Sequence, residues 1–343
     1  MTKPIDWRAL YASNRAAIRR AGVSVPDRLP PVRIPAPPRA VRRPWHAPAV
    51  TGARRRPLIH VPAGLDAATA VPLVCMLHGC TQDPASFAAA TRMNAAADRH
   101  GFVVLYPHQP REANAQGCWN WFAPEHQERG RGEPAAIAEA IGQLSGSGAR
   151  QAIDRRRVFV AGLSSGGAMA AILAATYPDV VAAVAVHSGL AYRSATNVQA
   201  AFAAMARGGE DPATYGPAAH AAMGPHARVV PALVVHGTVD ATVAPVNGEQ
   251  VLRQLMTANR LAAPDGWELD PARPTETERG QVPGGHAYTR SRWRDAAGAL
   301  RHERLLVHGL GHAWSGGAAG GSHTDPRGPD ASEAIWRFFA DAT

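Results

Sequence analysis

Short apolar runs alternate along this chain with stretches of helix-forming composition. The runs near residues 71–77, 102–106, 158–161, 180–186 and 231–236 are apolar almost throughout. Runs of this kind, without strict apolar–polar alternation, suit strands covered on both faces. Further strands are predicted near 55–61, 287–293 and 303–308. Helices are predicted near 86–99, 134–145, 165–177, 246–260 and 331–341. The last of these opens on Asp330, a capping residue, with Glu333 three positions on. Alternating strand and helix predicts an α/β fold, a mostly parallel, doubly wound central sheet flanked by helices.

Outside that alternation the pattern changes. Residues 6–21 predict a short basic helix, and the proline-rich stretch 25–49 an extended linker. The chain therefore divides into an N-terminal segment, 1–50, and one main domain, 51–343. Residues 262–285 hold eight Pro and Gly residues with little apolar periodicity and predict a surface loop.

One strand–helix junction carries chemistry. Val158-Phe159-Val160-Ala161 leads into Gly162-Leu163-Ser164-Ser165-Gly166, and a strongly helix-forming stretch follows from Ala168. Gly-x-Ser-x-Gly between strand and helix is the nucleophile elbow of α/β-hydrolases. Ser164 must sit on a strained turn to project above the sheet edge, and Gly162 and Gly166 permit the close backbone approach that requires. The helix that follows turns its N-terminus toward the serine, where its dipole and free N–H groups favour a developing oxyanion.

The elbow predicts an acid and then a histidine further along. Asp240 follows the apolar strand 231–236 and is the candidate acid, with Asp179 as a rival that precedes a strand. His312, in the glycine-rich stretch Gly309-Leu310-Gly311-His312-Ala313-Trp314-Ser315-Gly316-Gly317, is the candidate base. His323 and His286 are its rivals among 15 histidines. The oxyanion donors would be the N–H groups of Ser165, after the nucleophile, and of Cys80, after the early strand that ends in His78-Gly79. His78 itself is expected to shape that loop.

Composition narrows the partners. Net charge is +9, but Lys3 is the only lysine, and arginine accompanies abundant Ala, Gly and Pro, the mark of a GC-rich coding bias. No aromatic–basic motif of a nucleic-acid module is present, so nucleic-acid binding is not expected. No apolar run reaches the roughly 18 residues needed to cross a bilayer, so no membrane partner is expected. Cys-x-x-Cys spacing is absent and the histidines are dispersed, so neither metal nor cofactor is expected. Met1 to Arg8 lacks the apolar core of a signal peptide, so either export does not use that route or the true start lies elsewhere. Oligomeric state is left open.

Several separated motifs, in order, resemble the polyhydroxybutyrate (PHB) depolymerase family of esterases. They are His78-Gly79-Cys80, Cys118-Trp119-Asn120-Trp121-Phe122, Arg131-Gly132-Glu133-Pro134, the Ser164 elbow, His236-Gly237 with Asp240, Pro245-Val246-Asn247-Gly248, and the His312 loop. The resemblance runs from about residue 55 to 340. It implies an α/β-hydrolase that cleaves esters with a Ser164–His312–Asp240 triad and no metal. It also implies that Cys80 and Cys118 pair as a disulfide, a link worth roughly 3–4 kcal/mol on the chain-entropy model. An extracellular location would follow, with the cytoplasm as the alternative. Trp119, Trp121 and Trp314 are candidates for lining an acyl or polymer groove. The expected substrate is a hydroxyalkanoate oligomer or polymer, or a related ester. Relatives acting on acetylated or feruloylated plant polysaccharides supply one alternative, and a non-catalytic polyester- or polysaccharide-binding protein on the same scaffold supplies another.

Overall fold

The computed structural model describes residues 57–146, 150–263 and 269–343. The expected N-terminal helix and proline-rich linker lie outside the described residues. Nine strands form one sheet in the order β1-β3-β2-β4-β5-β6-β9-β8-β7. Its centre is parallel: β3 (Val103–Tyr106), β2 (Val71–Leu77), β4 (Ile153–Leu163), β5 (Ala183–His187), β6 (Ala232–Gly237) and β9 (Leu300–Val307). The edges are antiparallel, with β1 (Leu58–His60) beside β3 on one side. β8 (Ala287–Arg294) and β7 (Glu276–Gln281) close the other.

The central strands read as continuous apolar runs because both their faces are covered. On one face Ile137, Met169, Ile172, Met223 and Val251 belong to the same apolar cluster as alternate side chains of β2 and β4. On the other, Phe87, Met93, Ile335 and Phe338 pack against the intervening ones. The doubly wound reading therefore holds. The last helix, Ala331–Ala342, is capped as expected, with the Glu333 N–H donating to Asp330 Oδ1 at 3.0 Å. The Glu333 carboxylate goes to Arg99 and His100 and does not close a capping box.

Three expectations change. The helix expected at 86–99 is two helices, Pro84–Thr91 and Met93–His100, broken where Arg92 takes φ 60°. Helices at Val198–Arg207 and Pro212–Met223 go unpredicted. The surface loop expected at 262–285 contains β7, Glu-Thr-Glu-Arg-Gly-Gln. Its side chains are exposed, so no apolar alternation marks it. It is held by ladder bonds to β8 and by ion pairs from Arg292 and Arg294 to Glu276 and from Arg290 to Glu278. A charged edge strand of this kind also discourages pairing with another chain.

Candidate active site

The parallel strands deliver the chemistry to one edge of the sheet, their C-terminal ends, as open α/β sheets do. Ser164 follows β4 directly and caps the N-terminus of the helix Ser165–Thr176. Its backbone takes φ 58° and ψ −119°, a conformation that costs of order 1–3 kcal/mol and persists only where its surroundings impose it. Those surroundings are tight. A Cβ on Gly162 would meet Gly166 O at 2.3 Å, and one on Gly166 would meet Leu77 O at 2.1 Å. The Ser164 N–H donates to His187 O at 2.9 Å, fastening the elbow to the end of β5.

Asp240 lies past the end of β6 and is buried. Its two oxygens have different tasks. Oδ1 accepts the N–H groups of Thr242 and Val243 at 3.0 and 2.9 Å, while Oδ2 lies 2.8 Å from His312 Nδ1. His236 Nε2 donates to Val243 O and lies 3.5 Å from the same Oδ2. Burial alone would raise the Asp240 pKa. The charge of His312 and hydrogen bonds from His236 and His312 outweigh it and hold the carboxyl well below the usual range. The acid and base expected from sequence are thus brought together. Their rivals are engaged elsewhere: Asp179 takes Arg129 through both oxygens at 2.6 and 2.8 Å, and His286 pairs with Asp325 at 2.9 Å. His323 stands close by, its ring centroid 6.4 Å from that of His312.

The loop after β2 is braced from several directions. Cys80 and Cys118 form a disulfide, and Cys75 is buried and unpaired. The Gly79 N–H is taken by Gln82 Oε1 at 2.9 Å, which leaves Cys80 N–H as the candidate donor from this loop. Ser165 Oγ lies 3.5 Å from Cys80 Sγ, so the two expected oxyanion donors belong to neighbouring residues. Gln82 Nε2 reaches across to Ser322 O at 2.9 Å and ties this loop to the segment carrying His323. His78 is structural, as expected: Nδ1 donates to Gly79 O and Nε2 accepts the Gln109 N–H. Burial holds its pKa down at about 4, so it stays neutral.

The three tryptophans, expected to line a groove, are buried. Trp119, Trp121 and Trp314 are 1%, 5% and 1% exposed. Trp119 Nε1 donates to His78 O and Trp314 Nε1 to Ser332 Oγ, so their polar ends point at the protein.

Three residues to which the sequence assigned no role organise this site. Glu133 is buried, and its carboxylate accepts from Gln109 Nε2, Asn120 N–H and Asn120 Nδ2, fixing the disulfide loop. Gln82 and His187 are the others. A signal for His187 was present: β2, β5 and β6 each have a histidine in or next to their last two residues, with glycine one or two residues on, at His78-Gly79, His187-Ser188-Gly189 and His236-Gly237. Among the described residues no cluster of His, Cys, Asp and Glu has the form of a metal site, and no helix is long and apolar enough to cross a membrane.

Comparison with known proteins adds an independent line. Residues 58–275 match the family model described as Esterase PHB depolymerase. The chain is 39% identical over 197 residues to poly(3-hydroxyalkanoate) depolymerase C of Paucimonas lemoignei, covering 57% of this chain and 46% of that one. It thus spans less than half the length of that relative. It is 30% identical over 235 residues to a probable acetylxylan esterase A of Aspergillus clavatus, covering 65% of this chain and 71% of that one. Among solved structures, an acetyl xylan esterase from Aspergillus awamori superposes with a TM-score of 0.63 at 23% identity, covering 83% of this chain and 94% of that one. At that identity the likeness speaks for the α/β-hydrolase fold.

Proposed function

The chain belongs to the PHB depolymerase family of esterases, and from that premise we propose that it is a serine carboxylesterase acting on short-chain hydroxyalkanoate oligomers or polyesters. The observation that carries the reading is the 2.8 Å link between His312 and Asp240 at the sheet edge where Ser164 sits on its strained turn. In this reading His312 Nε2 takes the Ser164 proton as Oγ attacks the ester carbonyl. Asp240 holds the tautomer and stabilises the imidazolium. The Cys80 and Ser165 N–H groups receive the oxyanion, an interaction worth about 3–4 kcal/mol per donor in a comparable serine hydrolase. The tetrahedral intermediate collapses, the alcohol leaves with the proton from His312, and an acyl-enzyme remains. Water then attacks, giving its proton to His312, and the acid is released as Ser164 regains a proton.

The preference for hydroxyalkanoate rests on the 39% identity to a depolymerase. A second reading, an esterase of acetylated or feruloylated plant polysaccharide, is favoured by the longer alignment to an acetylxylan esterase. Retention of the disulfide supports an oxidising compartment and hence an extracellular location. One panel tests all of this: hydroxybutyrate oligomers, p-nitrophenyl esters of rising chain length, acetylated xylan and methyl ferulate, each with wild type and Ser164→Ala. Hydrolysis confined to the last two substrates moves the chain to the second reading. A folded wild type that neither turns over any ester nor takes a fluorophosphonate label on Ser164 would be a binding protein.

A further inference from the structure

His187 joins the two halves of the proposed machinery through two different atoms. Its backbone oxygen accepts the Ser164 N–H at 2.9 Å. Its ring Nε2 accepts the Ser315 N–H at 3.1 Å, from the loop that carries His312 three residues earlier. The ring lies flat on Trp314, centroids 4.9 Å apart with planes 22° from parallel. Nδ1 faces Ser188 Oγ at 3.2 Å. An acceptor at Nε2 forces the neutral tautomer protonated at Nδ1. The side chain is fully buried, and burial first, then the charges of His236 and His312, hold its pKa down at about 3.

We infer that His187 is a positioning residue: its neutral imidazole, by accepting the Ser315 N–H while its carbonyl holds Ser164, sets the general-base loop against the nucleophile elbow. This rests on the esterase reading above. A core-filling role would not require a polar ring. Phenylalanine would stack on Trp314 equally well and would bury no nitrogen. What phenylalanine lacks is the acceptor, and without it the Ser315 N–H is buried and unpaired. The base loop is rich in glycine, so it has little stiffness of its own with which to keep His312 in place.

The native protein gives the first test. Ring-nitrogen NMR shifts of His187 should show Nδ1 protonated and Nε2 bare throughout the neutral range, and the opposite tautomer overturns the inference. Two variants give the second. His187→Phe keeps the stack and removes the acceptor, whereas His187→Gln returns an oxygen near the place of Nε2. With p-nitrophenyl acetate, His187→Phe should lower kcat by about 100-fold, the scale of a 1 Å misplacement, with KM unchanged. His187→Gln should recover most of that loss. Unchanged kcat in His187→Phe, equal losses in both variants, or a change in KM in place of kcat overturns the inference. If His187→Phe lacks a native near-UV spectrum, the glutamine variant and the tautomer decide. A wild type inert toward every ester and toward fluorophosphonate would fail the esterase reading, and the tautomer would still report whether His187 holds Ser315.

Discussion

Asp240 meets His312 with one oxygen only. Oδ2 faces Nδ1 at 2.8 Å, and Oδ1 is spent on the backbone of its own loop at Thr242 and Val243. The carboxylate is therefore oriented before it orients anything else. Asp240→Asn can keep the loop through its amide oxygen but turns an N–H₂ toward Nδ1. That reverses the imidazole tautomer and leaves Nε2 protonated, unable to take the serine proton. Activity toward p-nitrophenyl acetate should fall by about 10⁴-fold with the fold intact, as for the same change in a serine protease triad. A loss below tenfold with native circular dichroism would remove Asp240 from the mechanism.

Buried neutral histidines predict how the protein responds to acid. Burial holds His78 at about 4, His187 at about 3 and His302 at about 3, against an ordinary 6.5. The unfolded chain binds these protons below pH 6.5 and the folded one does not. Their contribution is therefore complete above about pH 6.5 and is lost as pH falls toward the folded values. Each such histidine should cost up to roughly 1.4 kcal/mol per pH unit within that window. His302 offers the cleanest check, because it is remote from the reacting groups and accepts only from Asn259 Nδ2 at 3.2 Å. Urea unfolding of His302→Leu at stepped pH should show a shallower slope by about one proton. An unaltered slope would mean that His302 is not the group that titrates.

The Cys80–Cys118 link should appear in both chemistry and rate. A thiol reagent should find none in the native protein and one, Cys75, after denaturation without reductant. Cys75 is buried and its thiol is pushed far up by that burial, which explains the native silence. The double serine variant should lose roughly 2–5 kcal/mol of stability. Its kcat should fall as well, since the Cys80 N–H rides on the loop the disulfide holds. Full kcat in a folded double variant would separate the disulfide from the oxyanion loop.

What could be read from the chain was what local pattern records. β2, β4 and β6 announced themselves as apolar runs, and the Ser164 turn did so through glycines that leave no space for a Cβ. What stayed hidden is long-range. Gln82 reaches Ser322 across 240 positions, and His187 reaches Ser315 across 128, with no periodicity to mark either. β7 escaped because charge and ladder pairing hold it where burial does not. The tryptophans misled because a large ring beside a catalytic motif is ambiguous. Whether it faces substrate or core is decided by packing from elements far away in sequence.

With the tryptophans buried, His323 is the residue whose ring stands beside the base, its centroid 6.4 Å from that of His312. It takes φ 53°, unusual for a residue with a side chain. The segment around it is fastened on three sides: Gln82 holds Ser322 O, Trp314 N–H holds His323 O at 2.7 Å, and Thr324 Oγ1 holds Ala318 O at 2.7 Å. Nδ1 is engaged by Ser322 Oγ at 2.8 Å, and Nε2 has no protein partner among the described residues. A strained backbone held this firmly around an imidazole with a free Nε2 suits contact with substrate beyond the scissile bond. His323→Ala should therefore raise KM several-fold for hydroxybutyrate oligomers, whose further ester oxygens can reach the ring, and leave p-nitrophenyl acetate within about twofold. His323→Asn, which tolerates the same backbone and keeps a polar group, should fall between the two. A collapse of kcat on p-nitrophenyl acetate would instead make His323 the base and displace His312. Parallel changes on both substrates would mean that the ring supports the loop and reads nothing.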